Sequence, residues 1–130
     1  MSEIIEVIKN KKRLLCKNGT DVNEIRKAEK SLGLIFADDY FEYLKTFTSI
    51  AYSGHEITGL VNSKRTNVVE ATLEGWSENV NIPHDMYLIE ETGIDGISIW
   101  QKTDGKVYYV QFDKTPVYYC ESFEEYVRKY

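Results

Sequence analysis

Two histidines and two cysteines are the side chains of this 130-residue chain best suited to nucleophilic or metal chemistry, and their spacing supports neither. His84 precedes Asp85, and with Cys120 elsewhere a Cys-His-Asp arrangement can be drawn. Catalytic cysteines are recognised by a local context that activates the thiol, and neither Cys16 nor Cys120 has one. Structural zinc sites pair their ligands at short spacing, whereas Cys16, His55, His84 and Cys120 are scattered. Both histidines therefore read as surface or loop residues, and no metal or cofactor is expected.

The acids are more numerous. Glu90, Glu91 and Asp95, with Gly93 and Gly96 between and beside them, form an oxygen-rich stretch of the kind that suits a divalent cation. It lacks the alternating acids and the terminal Glu of a calcium loop, and it reads as a solvated turn between strands. No Gly-Lys-Ser/Thr follows the glycines, so a phosphate loop is excluded. Among 21 acidic residues, carboxylate pairs of the glycosidase type can be drawn anywhere and identify nothing. Glu29 is a separate case, because its spacing from Ile25 places it on or beside the apolar face of a helix. A buried carboxylate persists only when bonded, so Glu29 is expected to accept free backbone N–H groups, with the helix start at Asp38 as donor.

Ten tyrosines carry further information, above all the adjacent pairs Tyr108-Tyr109 and Tyr118-Tyr119. Neighbours in a strand point to opposite faces, so each pair sends one ring to the core and one outward. Outward tyrosines beside Glu90, Glu91 and Asp95 would make an amphipathic contact surface. Equally, cross-strand aromatic pairs would stabilise the sheet and do nothing more. A nucleic-acid platform needs flanking basic residues, which this region mostly lacks.

A chain of this length forms one domain, residues 1–130, with a core that needs no staples. Against 16 Lys and Arg, the 21 acids leave a net charge of -5, which disfavours nucleic acid and is compatible with a basic protein partner or with plain solubility. The cysteines fit no disulfide framework, and reduced thiols point to the cytoplasm. At the N-terminus Glu3 and Glu6 sit among Ile4, Ile5, Val7 and Ile8, with basic residues after them, the reverse of a secretory signal. No apolar run approaches the roughly 20 residues of a membrane span.

The elements that would position these residues follow from caps and periodicity. Ile4, Ile5 and Ile8 behind Ser2 predict a short first helix. Asp21 with Glu24, then Val22, Ile25, Ala28 and Leu32, predict a second that Gly33 ends in a left-handed conformation. Asp38 and Asp39 open a third, with Tyr40, Phe41, Leu44 and Phe47 on its face. His55 to Val61 reads as a strand, and Asn67 with Glu70 caps a further helix carrying Val69, Leu73 and Trp76. Strands are expected over Met86 to Glu90, Gly96 to Gln101, Lys106 to Phe112 and Val117 to Cys120, with Asp104-Gly105 as a hairpin turn. Ser122 and Glu125 box a terminal helix. The fold class is α+β, an antiparallel meander with helices on one face and the other face partly open.

The run Glu29 to Tyr40 and the closing Ser122-Phe123-Glu124-Glu125 resemble the SUKH superfamily of SMI/KNR-type domains. The likeness covers the chain from about Asp21 to its end and is weakest over Ser63 to Asn81. Glu29, Leu32, Gly33, Asp38, Asp39 and Tyr40 match the family pattern, with Ala37 where it usually has proline. These positions are fold determinants, and no catalytic or binding residue is carried over from them. The resemblance implies a binder and not an enzyme: an immunity protein that neutralises a cognate secreted toxin, often a basic nuclease. An acidic, tyrosine-bearing surface drawn from Asp38, Asp39, Glu90, Glu91, Asp95, Tyr108 and Tyr118 is then the expected contact, mimicking nucleic acid. The alternatives are a cytosolic regulatory scaffold module and, more remotely, a small hydrolase with an acid pair.

Overall fold

Side-chain caps mark the starts of three of the helices. The computed structural model describes residues 2–130. Its first half contains α1 (Ile4–Lys9), β1 (Leu15–Cys16), α2 (Val22–Leu32), α3 (Asp38–Phe47), β2 (Ile50–Tyr52) and β3 (His55–Ile57). The second half continues with α4 (Val68–Glu78), β4 (Met86–Glu91), β5 (Ile97–Lys102), β6 (Val107–Gln111), β7 (Val117–Cys120) and α5 (Phe123–Lys129). Asp21 accepts from Asn23 N at the start of α2, Asn67 from Val69 N and Glu70 N at α4, and Ser122 from Glu125 N at α5. Each satisfies donors that the first helical turn leaves free. Ser2 likewise accepts from Ile4 N just before α1.

The seven strands pair in sequence order, antiparallel throughout, as the α+β meander requires. Two short strands, β1 and β2, were not expected, and the strand expected over His55 to Val61 stops at Ile57. The stop is steric. A Cβ on Gly59 would lie 1.9 Å from the Thr48 carbonyl oxygen, so the chain leaves the sheet in tight contact with the end of α3. No helix among the described residues is long and apolar enough to cross a membrane.

One face of the sheet carries the main core. Ile4 and Ile8, Ile25, Tyr40, Tyr43, Leu44, Phe123 and Tyr126 from α1, α2, α3 and α5 pack on Ile57, Tyr87, Ile89 and Ile99. The expectation that all helices share this face fails for α4. Its first turn, with Val68 and Val69, joins the main core, but Ala71 belongs to a second cluster with Leu88, Trp100 and Val110 on the opposite face. A Cβ on Gly75 would meet the Trp100 ring at 2.5 Å, so only glycine lets the helix come this close. At its end Asn79 Nδ2 donates to Lys114 O in the turn before β7. The helix thus crosses the second face from β4 towards the end of β6. Hydrophobic spacing alone reports that α4 has an apolar side, not which side of the sheet receives it.

Gly33 ends α2 at φ 70°, with its N–H on the Glu29 carbonyl, as expected. Nothing lies within 4 Å of a Cβ built there, so Gly33→Ala tests backbone strain alone. It should cost about 1–2 kcal/mol in urea denaturation, the penalty of the left-handed region for an L-residue. Glu29 is buried and accepts from Phe36 N at 2.8 Å, while its other oxygen meets Arg26 at 2.7 Å. The acceptor role stands, but the donor lies in the link before α3 and not in its first turn. Glu29→Ala should lose about 1–3 kcal/mol by orphaning Phe36 N. Glu29→Gln keeps that acceptor and loses only a pairing with a mostly exposed arginine, so it should stay within about 1 kcal/mol of wild type in the same assay.

Candidate functional site

A β-bulge decides which acids reach the surface. The β4–β5 register shifts between Leu88 and Glu90, so Glu90 pairs with Ile99 and turns to the helix side, while Glu91 pairs with Ser98 and faces the other way. Glu90 is 2% exposed. It accepts from His55 Nδ1 at 2.9 Å and from the Tyr126 hydroxyl. Burial, reinforced by Glu90, pushes the Tyr126 phenol well above its ordinary range, which keeps its proton available for that bond.

Glu91 opens instead into a groove of about 580 Å³ between α4 and the sheet. Trp100, Ser98 and Leu88 form its floor, and α4 supplies the wall with Glu74 and Glu78, four residues apart and so on one side of the helix. Lys64 and Arg65, just before α4, line one end; Asn79, Phe112 and Asp113 line the other. Burial, then Glu78 and Glu74, raises the Glu91 carboxyl above the usual carboxylate range. Among the described residues Glu74, Glu78 and Glu91 take part in no ion pair, whereas Arg65 is held by Glu56 at 2.9 Å. The arrangement offers a negative, solvent-open slot with aromatic and aliphatic surface beneath and beside it.

The residues expected to form one contact surface are divided. Asp39 is buried, accepts from Gln101 Nε2 and from Glu124 N at the start of α5, and is pushed up by its burial. With Glu90 it belongs to the interior, so neither can be a surface acid. Asp38 is exposed but borders a separate depression shared with Asp104 and Glu124. Asp95 is exposed at φ 52° in the β4–β5 turn, where its carbonyl accepts from Gln111 Nε2. Tyr108 and Tyr118 form a T-shaped pair 6.0 Å apart on the same sheet face as Trp100, outside the groove lining. Glu91 alone of the seven lines the groove.

The remaining chemistry-bearing residues are also placed. His55 is not a free surface histidine, because Glu90 holds it. His84 is exposed and stacks on Trp76 at 4.0 Å. Cys120 is buried, donates to Ser122 O, and has its thiol raised to about 11, chiefly by burial, which opposes thiolate chemistry. Sequence reasoning missed Glu74, Glu78 and Phe112. The i,i+4 spacing of the two glutamates was a usable signal; the placement of Phe112 at φ 52° was not.

The crowding around Glu91 has a measurable consequence. A folded-state carboxyl raised above its unfolded value binds its proton more tightly in the folded chain, so stability falls as pH rises from the ordinary carboxylate range through the raised value. Glu91→Gln removes the ionised form and should raise Tm at neutral pH by roughly 1–3 °C. The difference should vanish below about pH 3, more than a unit under the ordinary Glu value of about 4.3, where wild-type Glu91 is protonated in both states. Equal Tm values at both pH settings would show that neither burial nor the nearby Glu78 and Glu74 hold the carboxyl above its unfolded value.

A crystal structure of a protein from Pseudomonas syringae pv. tomato matches with a TM-score of 0.76 at 19% identity, over 98% of this chain and 96% of that one. At that identity the likeness speaks to the fold alone. A comparison with curated proteins finds no match. The SUKH_5 family model, described as SMI1-KNR4 cell-wall, matches residues 1–130. With the full length covered, the chain belongs to the SUKH_5 (SMI1-KNR4) family.

Proposed function

We propose that this chain is an immunity protein that binds a cognate secreted toxin in the cytoplasm and neutralises it by contact, without catalysis. The observation that carries this reading is a groove in a SUKH-family chain whose carboxylates have no partner among the described residues. Three such groups on one wall and rim favour a cationic surface, and a toxin that grips nucleic acid must present one. The partner is accordingly read as a basic nuclease domain. Support for a binding role also comes from both histidines and from Cys120, which are committed elsewhere. His55 bonds Glu90, His84 lies on Trp76, and Cys120 is buried with a raised thiol.

The test is co-expression with the C-terminal domain of a toxin encoded beside the chain. A stoichiometric complex that abolishes the toxin's nuclease activity is the expected result, and free toxin at full activity would overturn the reading. Electrostatic steering also makes a kinetic prediction. Raising salt from about 0.1 M to 1 M shortens the Debye length from about 10 Å to about 3 Å. Association measured by stopped flow should slow by about tenfold or more, with dissociation changing far less.

A further inference from the structure

We propose that the groove between α4 and the ends of β4 and β5 is the docking site for an arginine- or lysine-bearing apolar segment of a protein partner, with the cation among Glu74, Glu78 and Glu91 and its apolar neighbour against Phe112. This inference rests on the binding role proposed above and specifies where and what the chain binds.

Phe112 supplies the anchor. It is 68% exposed and sits at φ 52°, a conformation that a bulky L-residue rarely adopts. Its ring lies over Gly96, where a Cβ would fall 2.3 Å from the ring edge, so the absent side chain makes its seat. The ring is thereby seated on bare backbone at the mouth of the groove, with most of its surface open to a partner. A volume of about 580 Å³ has room for a few side chains and is within the common range of ligand clefts.

Charge selects the occupant and its direction. Glu78 lies towards the end of α4 at Asn79 and Phe112, while Lys64 and Arg65 precede the other end. Arg65 is tied to Glu56, and Lys64 repels a cation from its own end of the groove. A cationic head is therefore directed to the glutamates, next to Phe112. Asp113 adds a fourth acid at that end. An acidic segment meets repulsion from all four, and an uncharged one leaves the three glutamates without a partner.

The test uses the full chain, labelled with ¹⁵N, and a blocked Arg-Leu-Arg-Leu-Arg peptide as the probe, with Glu-Leu-Glu-Leu-Glu as its control. The basic peptide should shift the Gly75, Gly96 and Phe112 amides and the Trp100 indole, and the acidic one should not. The triple change E74Q/E78Q/E91Q should weaken binding about tenfold, by loss of three modest charge contacts. Phe112→Gly relieves the backbone strain and removes the ring, so it should raise Tm while weakening binding several-fold. That opposite movement separates a docking role from a structural one. Shifts confined to the depression around Asp38, Asp104 and Glu124, equal binding of both peptides, or full affinity in both variants would overturn the proposal. A toxin that fails to associate while the peptide binds here would remove the immunity reading and leave the docking site standing.

Discussion

The pairing of β3 with β4 stops at one residue pair, Ile57 with Glu90, and the polar groups this leaves on β4 organise much of the fold. Thr58 is the first residue past that pair. Its N–H donates to Ile89 O and its hydroxyl to Leu88 O, while Tyr40 and Tyr43 donate to it from α3. Two β4 groups remain, Leu88 N and Met86 O. The Thr72 hydroxyl accepts from the first and the Trp76 indole donates to the second. Each would cost about 1–3 kcal/mol if buried and unpaired, so α4 is held against this edge by need as much as by its apolar face. From there it can only cross the second face, and the groove is the space its crossing leaves.

Buried acids act within the same scheme. Asp39 joins the start of α5 to Gln101 of β5, and Gln101 accepts in turn from Tyr87, whose hydroxyl accepts from Ala37 N. Glu90 joins β4 to the β3 histidine and to α5 through Tyr126. Removing one partner from either set leaves a charged or polar group without compensation in the interior, which costs far more than a surface contact. The interior acids thus fasten helices to the sheet, and the acids left outside bear no such duty.

What could be read from the sequence was local. Asp21, Asn67 and Ser122 cap the helices they were expected to cap, because a cap depends on residues two or three positions away. Gly33 follows from its own backbone freedom. Glu29 was legible as an acceptor but its donor was misplaced, since which N–H comes within reach depends on the path of the link to α3. Glu90 was misread because it was grouped with Glu91 and Asp95 in a solvated turn, whereas β4 runs through it and the bulge after Leu88 turns it to the helix side. β1 and β2 escaped because two or three residues show no period. Likewise the groove needs α4, β4 and the turns after β4 and β6 to meet, and no stretch of sequence contains that meeting.

The separation between the two sets of residues bears on how such a scaffold can serve different partners. The Pseudomonas syringae protein keeps the fold at 19% identity, so most side chains are free to vary while the architecture holds. In this chain the groups that satisfy β4 and fasten the helices lie inside, at Thr58, Thr72, Asp39 and Glu90, all under 10% exposed. Glu74, Glu78, Glu91 and Phe112 take no part in those networks. Surface substitutions such as those at Glu74 and Glu78 usually alter stability by no more than about 0.5 kcal/mol. Replacing Glu91, with its raised carboxyl, or Phe112, at φ 52°, relieves a local cost. Selection on the groove can therefore change its charge and shape without loosening the sheet. In the proposed docking role, the fold sets where the partner sits and a few exposed side chains set its chemistry.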